Sequence, residues 1–277
     1  MMAGTGALRL GPAARRLISP DRWTDGYPGP VAYSRELDAL VDWASAKGCL
    51  WRFQSRLESK NTQRDEALAE LRLAYLLDSV GFPIVGWDPP GANGKKGEYL
   101  LTTPEKTDVF VELKSPGWES ELTPAQRAAG RQHQPKYDGM GGGAVGNFQA
   151  VHQCIARPNT YPKFTTTQAN LLIIADDLNL SLHDTLLQVE GALYGAKWQY
   201  GEDGHFTSNR FENLGGLGVF YAFSAVPSRG IEYQFVIYEN PHALPATKLP
   251  QSLLEQFKET FNCIVKGTDP RRPAPVR

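Results

Sequence analysis

Apolar residues recur along this chain first with the period of a helix and then with the period of a strand. From Ser34, read as an N-cap, the spacing of Leu37, Leu40, Val41 and Ala44 predicts a short amphipathic helix. A second helix is predicted over 50–58. The strongest helical segment is 62–80, with Thr62 as cap, Asp65 and Glu66 near the first turn, Ala67, Leu71, Ala74 and Leu77 inward, and Gly81 as the stop. The period then falls to two. A strand is predicted over 82–85, a Pro- and Gly-rich loop over 87–97, and two strands, 98–103 and 107–115, that fold into a hairpin about Glu105.

Further on, Thr123-Pro124 opens a predicted helix to about Gln134, and 139–146 is a glycine-dense loop without the Lys and Ser/Thr of a P-loop. A helix is expected near 147–156. A buried strand over 170–175 ends at Asp176-Asp177, whose acids read as caps or turns. A helix over 181–194, strands over 218–225 and 231–239, and a closing helix over 249–261 complete the pattern. Residues 1–30 and 266–277 read as disordered tails. The expected fold class is α/β, a single domain over 31–265 with extra N-terminal helices.

Composition narrows the partners rather than the fold. The 277 residues are 41% apolar and 21% charged, with a net charge of -1, so a polyanion would have to be held by a local basic patch. Arg52, Arg56, Lys60 and Arg64 recur at intervals of four, a stripe best read as a solvated helix face and broken at Asn61-Thr62. No apolar run reaches the roughly 18 residues of a membrane span. Cys49, Cys154 and Cys263 lack the spacing of a zinc site or disulfide framework, which implies buried thiols in a reducing cytoplasm.

The chemistry concentrates in 107–115. Val109, Val111 and Leu113 share one face of that strand, and Asp108, Phe110, Glu112 and Lys114 the other. An exposed edge strand carries such a pattern at no cost. On a buried strand, Glu112-x-Lys114 must be solvated, paired or metal-bound. If the hairpin folds about Glu105, Glu98 lies opposite Glu112, within about 5.5 Å, close enough for two carboxylates to share a cation.

The helix with Glu70, the strand, the hairpin with Glu98 and Glu112-Leu113-Lys114, and the helix with Arg127 and Arg131 together resemble the core of the PD-(D/E)xK nuclease superfamily, over residues 62–134. The resemblance implies a restriction-endonuclease-like core, a central mixed sheet flanked by helices. It implies a nuclease that cuts phosphodiester bonds, DNA before RNA, in bacterial defence or DNA processing, with a catalytically silent nucleic-acid- or protein-binding module as the alternative. Mg²⁺, with Mn²⁺ as substitute, would be held by Glu98 and Glu112, with Glu70 on a second metal or its waters. Lys114 would orient the attacking water. The family's intervening aspartate has three competitors here: Glu98 on geometry, then Asp108, then Asp88. Arg127, Arg131 and Lys136 would hold a flanking phosphate. Cutting both strands of a duplex asks for two sites, and so for a homodimer.

Overall fold

The computed structural model describes residues 30–58, 62–114, 155, 160–176, 182–195, 204–223, 232–261 and 263–267. Among them are five α-helices and one seven-stranded mixed sheet. The helices are α1 (Pro30–Ala46), α2 (Leu50–Leu57), α3 (Thr62–Ser79), α4 (Leu182–Tyr194) and α5 (Gln251–Phe261). The strands are β1 (Ile84–Trp87), β2 (Tyr99–Thr102), β3 (Asp108–Lys114), β4 (Ala169–Asp176), β5 (Gly216–Phe223), β6 (Glu232–Glu239) and β7 (Ile264–Lys266), lying in sequence order across the sheet. No helix among the described residues is long and apolar enough to cross a membrane.

Helix α1 begins at Pro30, four residues before the expected Ser34 cap. Proline suits a first helical position, where its fixed φ is already helical and its missing N–H costs no bond. Helix α3 ends as its sequence implies. Gly81 has φ +89°, and the Phe82 N–H closes back on the Leu77 carbonyl at 2.9 Å.

Contacts divide the described residues into two units. One holds residues up to Leu76 with the ends of β5 and β6 at 222–223 and 232–233; the other holds the remainder, from Leu77 on. In the helical unit, the 1%-exposed Arg72 grips Glu36 through Nε (2.9 and 3.1 Å) and Nη2 (2.8 Å), and the Tyr233 hydroxyl also donates to Glu36. Trp43 and Tyr75 meet edge to face.

The sheet unit is a three-layer sandwich. Strand β2 runs antiparallel to β1 and β3, while β3, β4 and β5 run parallel, so β2 alone opposes the other four. One face carries Phe110, Leu172, Ile174, Leu217, Val219, Val236 and Tyr238, covered by Val189, Ala192 and Leu193 of α4 with Phe206 and Phe211. The other carries Phe220 and Phe235, with Phe257 of α5 packed on Phe235 and Phe82. Strand β7 lay beyond the periodic signal. Its three residues pair in parallel with β6, so Lys266, expected at the start of a tail, ends a strand and binds Glu190 at 2.6 Å.

Three buried acids of these units titrate high. Burial, and then the carboxylate of Glu36 or Glu190 beside it, pushes the Tyr233 and Tyr238 phenols well above the ordinary tyrosine range. Burial pushes the Cys263 thiol up to about 12. Each raised value favours the neutral group in the fold. The associated stability is therefore present below the unfolded values, about 8.5 for Cys and about 10 for Tyr, and is lost as pH rises through the folded ones. The urea midpoint is expected to be flat from about pH 7 to 8 and to fall steadily above about pH 9; a midpoint that holds to pH 11 would contradict this account.

Candidate active site around Glu112

Strand β3 is interior, with β2 on one side and β4 on the other, which removes the edge-strand reading. Its burial is continuous from Val109 to Leu113. The register sets Phe110 beside Asn170, Glu112 beside Leu172 and Lys114 beside Ile174. Glu112 therefore stands among apolar neighbours and is 0% exposed. A carboxylate in such a place must have a cation or a proton.

It has two cations. Lys114 Nζ and Lys163 Nζ each lie 2.5 Å from Glu112 Oε1. The other oxygen, Oε2, is buried and has no hydrogen-bond partner among the described residues. Oε2 thus offers a hard oxygen to a cation or a proton donor.

Lys163 was not among the expected residues. It closes a short 3-10 turn, Tyr161–Lys163, just ahead of β4. The turn is held by Lys163 N–H to the Thr160 carbonyl (3.1 Å), Phe164 N–H to the Tyr161 carbonyl (3.1 Å) and Asn93 Nδ2 to the Pro162 carbonyl (3.0 Å). A Cβ at Gly91 would stand 2.5 Å from the Lys163 carbonyl, and one at Gly97 would stand 2.3 Å from the Phe110 ring. Only glycine allows the 87–97 loop to close over this turn and over β3. Phe164 meets Phe110 edge to face at 5.9 Å, which fixes the turn to the strand that carries Glu112.

The other expected residues fall as follows. The hairpin register centres on Glu105, with Thr102 opposite Asp108 and Tyr99 opposite Val111. Glu98 N–H donates to the Val111 carbonyl at 3.0 Å, so Glu98 and Tyr99 share one partner, the two-against-one pattern of a bulge. The pairing thus stops one residue short of direct Glu98–Glu112 opposition. Asp88, at φ +51°, donates its N–H to the Glu98 carbonyl, which makes two of the three competing acids backbone neighbours just beyond the paired ends of β1 and β2. Asp108 is exposed at the turn end of the hairpin, where its Oδ1 accepts from Thr102 Oγ1 at 2.6 Å. Glu70, in the helical unit, has both oxygens held by Arg56 at 2.6 Å, which removes Arg56 from any free basic stripe. Arg127, Arg131 and Lys136 lie outside the described residues, as do Cys154 and the glycine-dense loop. Cys49 and Cys263 are buried free thiols.

No family model, curated protein or solved structure matches this chain. Among the described residues no three His, Cys, Asp or Glu side chains stand together closely enough to hold a metal ion, so Glu70, Glu98 and Glu112 do not form such a group. Any cation at Glu112 would complete its shell from backbone carbonyls, a second acid or water.

Proposed function

We propose that this protein is a metal-dependent nuclease with a restriction-endonuclease-like core, acting on DNA before RNA. The observation that carries the reading is Glu112, fully buried on an interior strand, with Oε1 on two lysines and Oε2 on none. The order of helix, strand, hairpin and parallel fourth strand around Glu112-x-Lys114 supports it.

Mg²⁺ would be held through Oε2, a hard oxygen donor with no hydrogen-bond partner among the described residues, and Glu98 and Asp88, joined through their backbones, are the candidate second carboxylates. When bound, the ion supplies Lewis-acid polarisation of the phosphoryl oxygen and a hydroxide near neutral pH. The chain's own contribution is electrostatic. Lys114 orients the attacking water and offsets charge on the phosphoryl oxygens. The apolar neighbours Leu172 and Ile174 keep these charges strongly coupled.

A catalytically silent nucleic-acid- or protein-binding module on the same fold is the second reading, favoured by the two ammonium groups that already compensate Glu112. Cleavage of plasmid, single-stranded DNA and RNA in Mg²⁺, Mn²⁺ or EDTA separates the two. Wild type is expected to cut DNA only with metal, and Lys114→Ala and Glu112→Gln, each checked for folding by circular dichroism, to lose about 100-fold or more. Absence of cutting and of metal binding by calorimetry would sink the nuclease reading and leave the module.

A further inference from the structure

We infer that Asn170 is a positioning residue for the Glu112 site: its amide holds the turn that carries Lys163 and so sets where that ammonium meets Glu112 Oε1. The consequence for cleavage rests on the nuclease reading of the site; the hold on the turn stands on geometry alone.

The Thr160 and Tyr161 carbonyls are bonded within the turn, but the carbonyls that follow have no strand ladder to meet and need other donors. Asparagine amides supply them. Asn93 Nδ2 donates to the Pro162 carbonyl at 3.0 Å, Asn213 Nδ2 to that of Phe164 at 3.4 Å and Asn170 Nδ2 to that of Thr165 at 2.8 Å. Asn170 differs from the other two in burial and reach. It is 0% exposed, and the same Nδ2 also donates to the Asn213 carbonyl at 2.7 Å, so one amide joins the turn to the segment that enters β5. Both acceptors are carbonyls, which fixes the amide orientation: turned over, it would set oxygen against two oxygens. Its Oδ1 is buried with no hydrogen-bond partner among the described residues. An apolar side chain would avoid that cost, so the gain at this position lies in the two donated bonds.

The backbone of Asn170 is fixed as well, its N–H on the Thr247 carbonyl at 3.3 Å and its carbonyl accepting from the Gly215 N–H at 3.0 Å. It stands on β4 two residues before Leu172, the register partner of Glu112. Asn170 thus ties the turn to the paired strands that carry Glu112, and Lys163, two residues before Thr165, reaches Oε1 at 2.5 Å from there.

The test uses the full chain as wild type, Asn170→Ala and Asn170→Ser, each labelled briefly with acetic anhydride and read lysine by lysine by mass spectrometry. Lys266, paired with Glu190 at 2.6 Å in the same unit, is the internal control. Lys163 labelling is expected to rise about tenfold in Asn170→Ala with Lys266 unchanged, and to rise less in Asn170→Ser, which keeps one donor. Equal rises at both lysines would mark a merely structural asparagine, and unchanged Lys163 labelling would overturn the inference outright. If Asn170→Ala fails to fold, the Asn170→Ser comparison decides on the same terms. Where wild type cuts DNA, Asn170→Ala is expected to lower kcat about 100-fold with KM nearly unchanged, because Asn170 reaches the site only through the turn. A change in KM alone would overturn its action through Lys163. Wild type that does not cut ends the nuclease reading and leaves the labelling to decide the hold on the turn.

Discussion

Glu112→Ala is expected to lower stability by about 3–5 kcal/mol. The substitution removes the carboxylate oxygen that the ammonium groups of Lys114 and Lys163 both contact at 2.5 Å. They then repel across a short gap, beside Leu172 and Ile174, where water screens them little. Burial of a charge without its partner costs far more than the intact pair contributes. The control follows from the same asymmetry. The double variant Glu112→Leu with Lys163→Met replaces the pair by apolar groups of similar size and is expected to be more stable than Glu112→Ala alone. Urea unfolding followed by far-UV circular dichroism measures both. A single-variant loss under about 1 kcal/mol would mean that the lysines reach water and that Glu112 does not anchor them.

The second large effect belongs to the helical unit. Arg72→Met is expected to cost about 3–5 kcal/mol, because Glu36 then keeps only the Tyr233 hydroxyl against its buried charge. The guanidinium also holds the Tyr233 phenol down somewhat against burial and Glu36, so its loss is expected to raise that phenol further. Adding Glu36→Leu to Arg72→Met is expected to recover part of the loss. If the double variant is no more stable than the single one, Glu36 was not the group left stranded. Arg72 lies two residues after Glu70, so α3 carries two acid–arginine pairs on nearly opposite faces of one turn, with Arg56 and with Glu36.

The strand period of two in 107–115 was enough to place Phe110, Glu112 and Lys114 on one face, and the count about Glu105 was enough to fix the hairpin register. Both are local properties, set by side-chain alternation and by the length of one turn. Lys163 was not legible for the opposite reason. It reaches Glu112 only because β3 and β4 pair in parallel across a long excursion of chain, and no short-range pattern marks a lysine in Tyr161-Pro162-Lys163 as a counter-ion. The bulge at Glu98 was hidden because Gly97 and its loop must close over Phe110, a packing demand made by a residue thirteen positions away. Arg56 was read as one step in a basic stripe, since its partner Glu70 lies on a separate helix. The early start of α1 was missed because Ser34 is a good cap in isolation, while Pro30 starts the helix four residues sooner.

Strand β4 is apolar on both faces from Leu171 to Ala175, so hydrophobicity alone gives it little preference among alignments with β3. A slip of two residues would keep every apolar side chain in an apolar layer. It would also move Glu112 about 6.6 Å along β4, out of reach of an ammonium held by the 3-10 turn that opens that strand. The Glu112–Lys163 pair thus works as an indexing pin between two otherwise interchangeable alignments, which ties the correct assembly of the sheet to the same atoms proposed to do its chemistry.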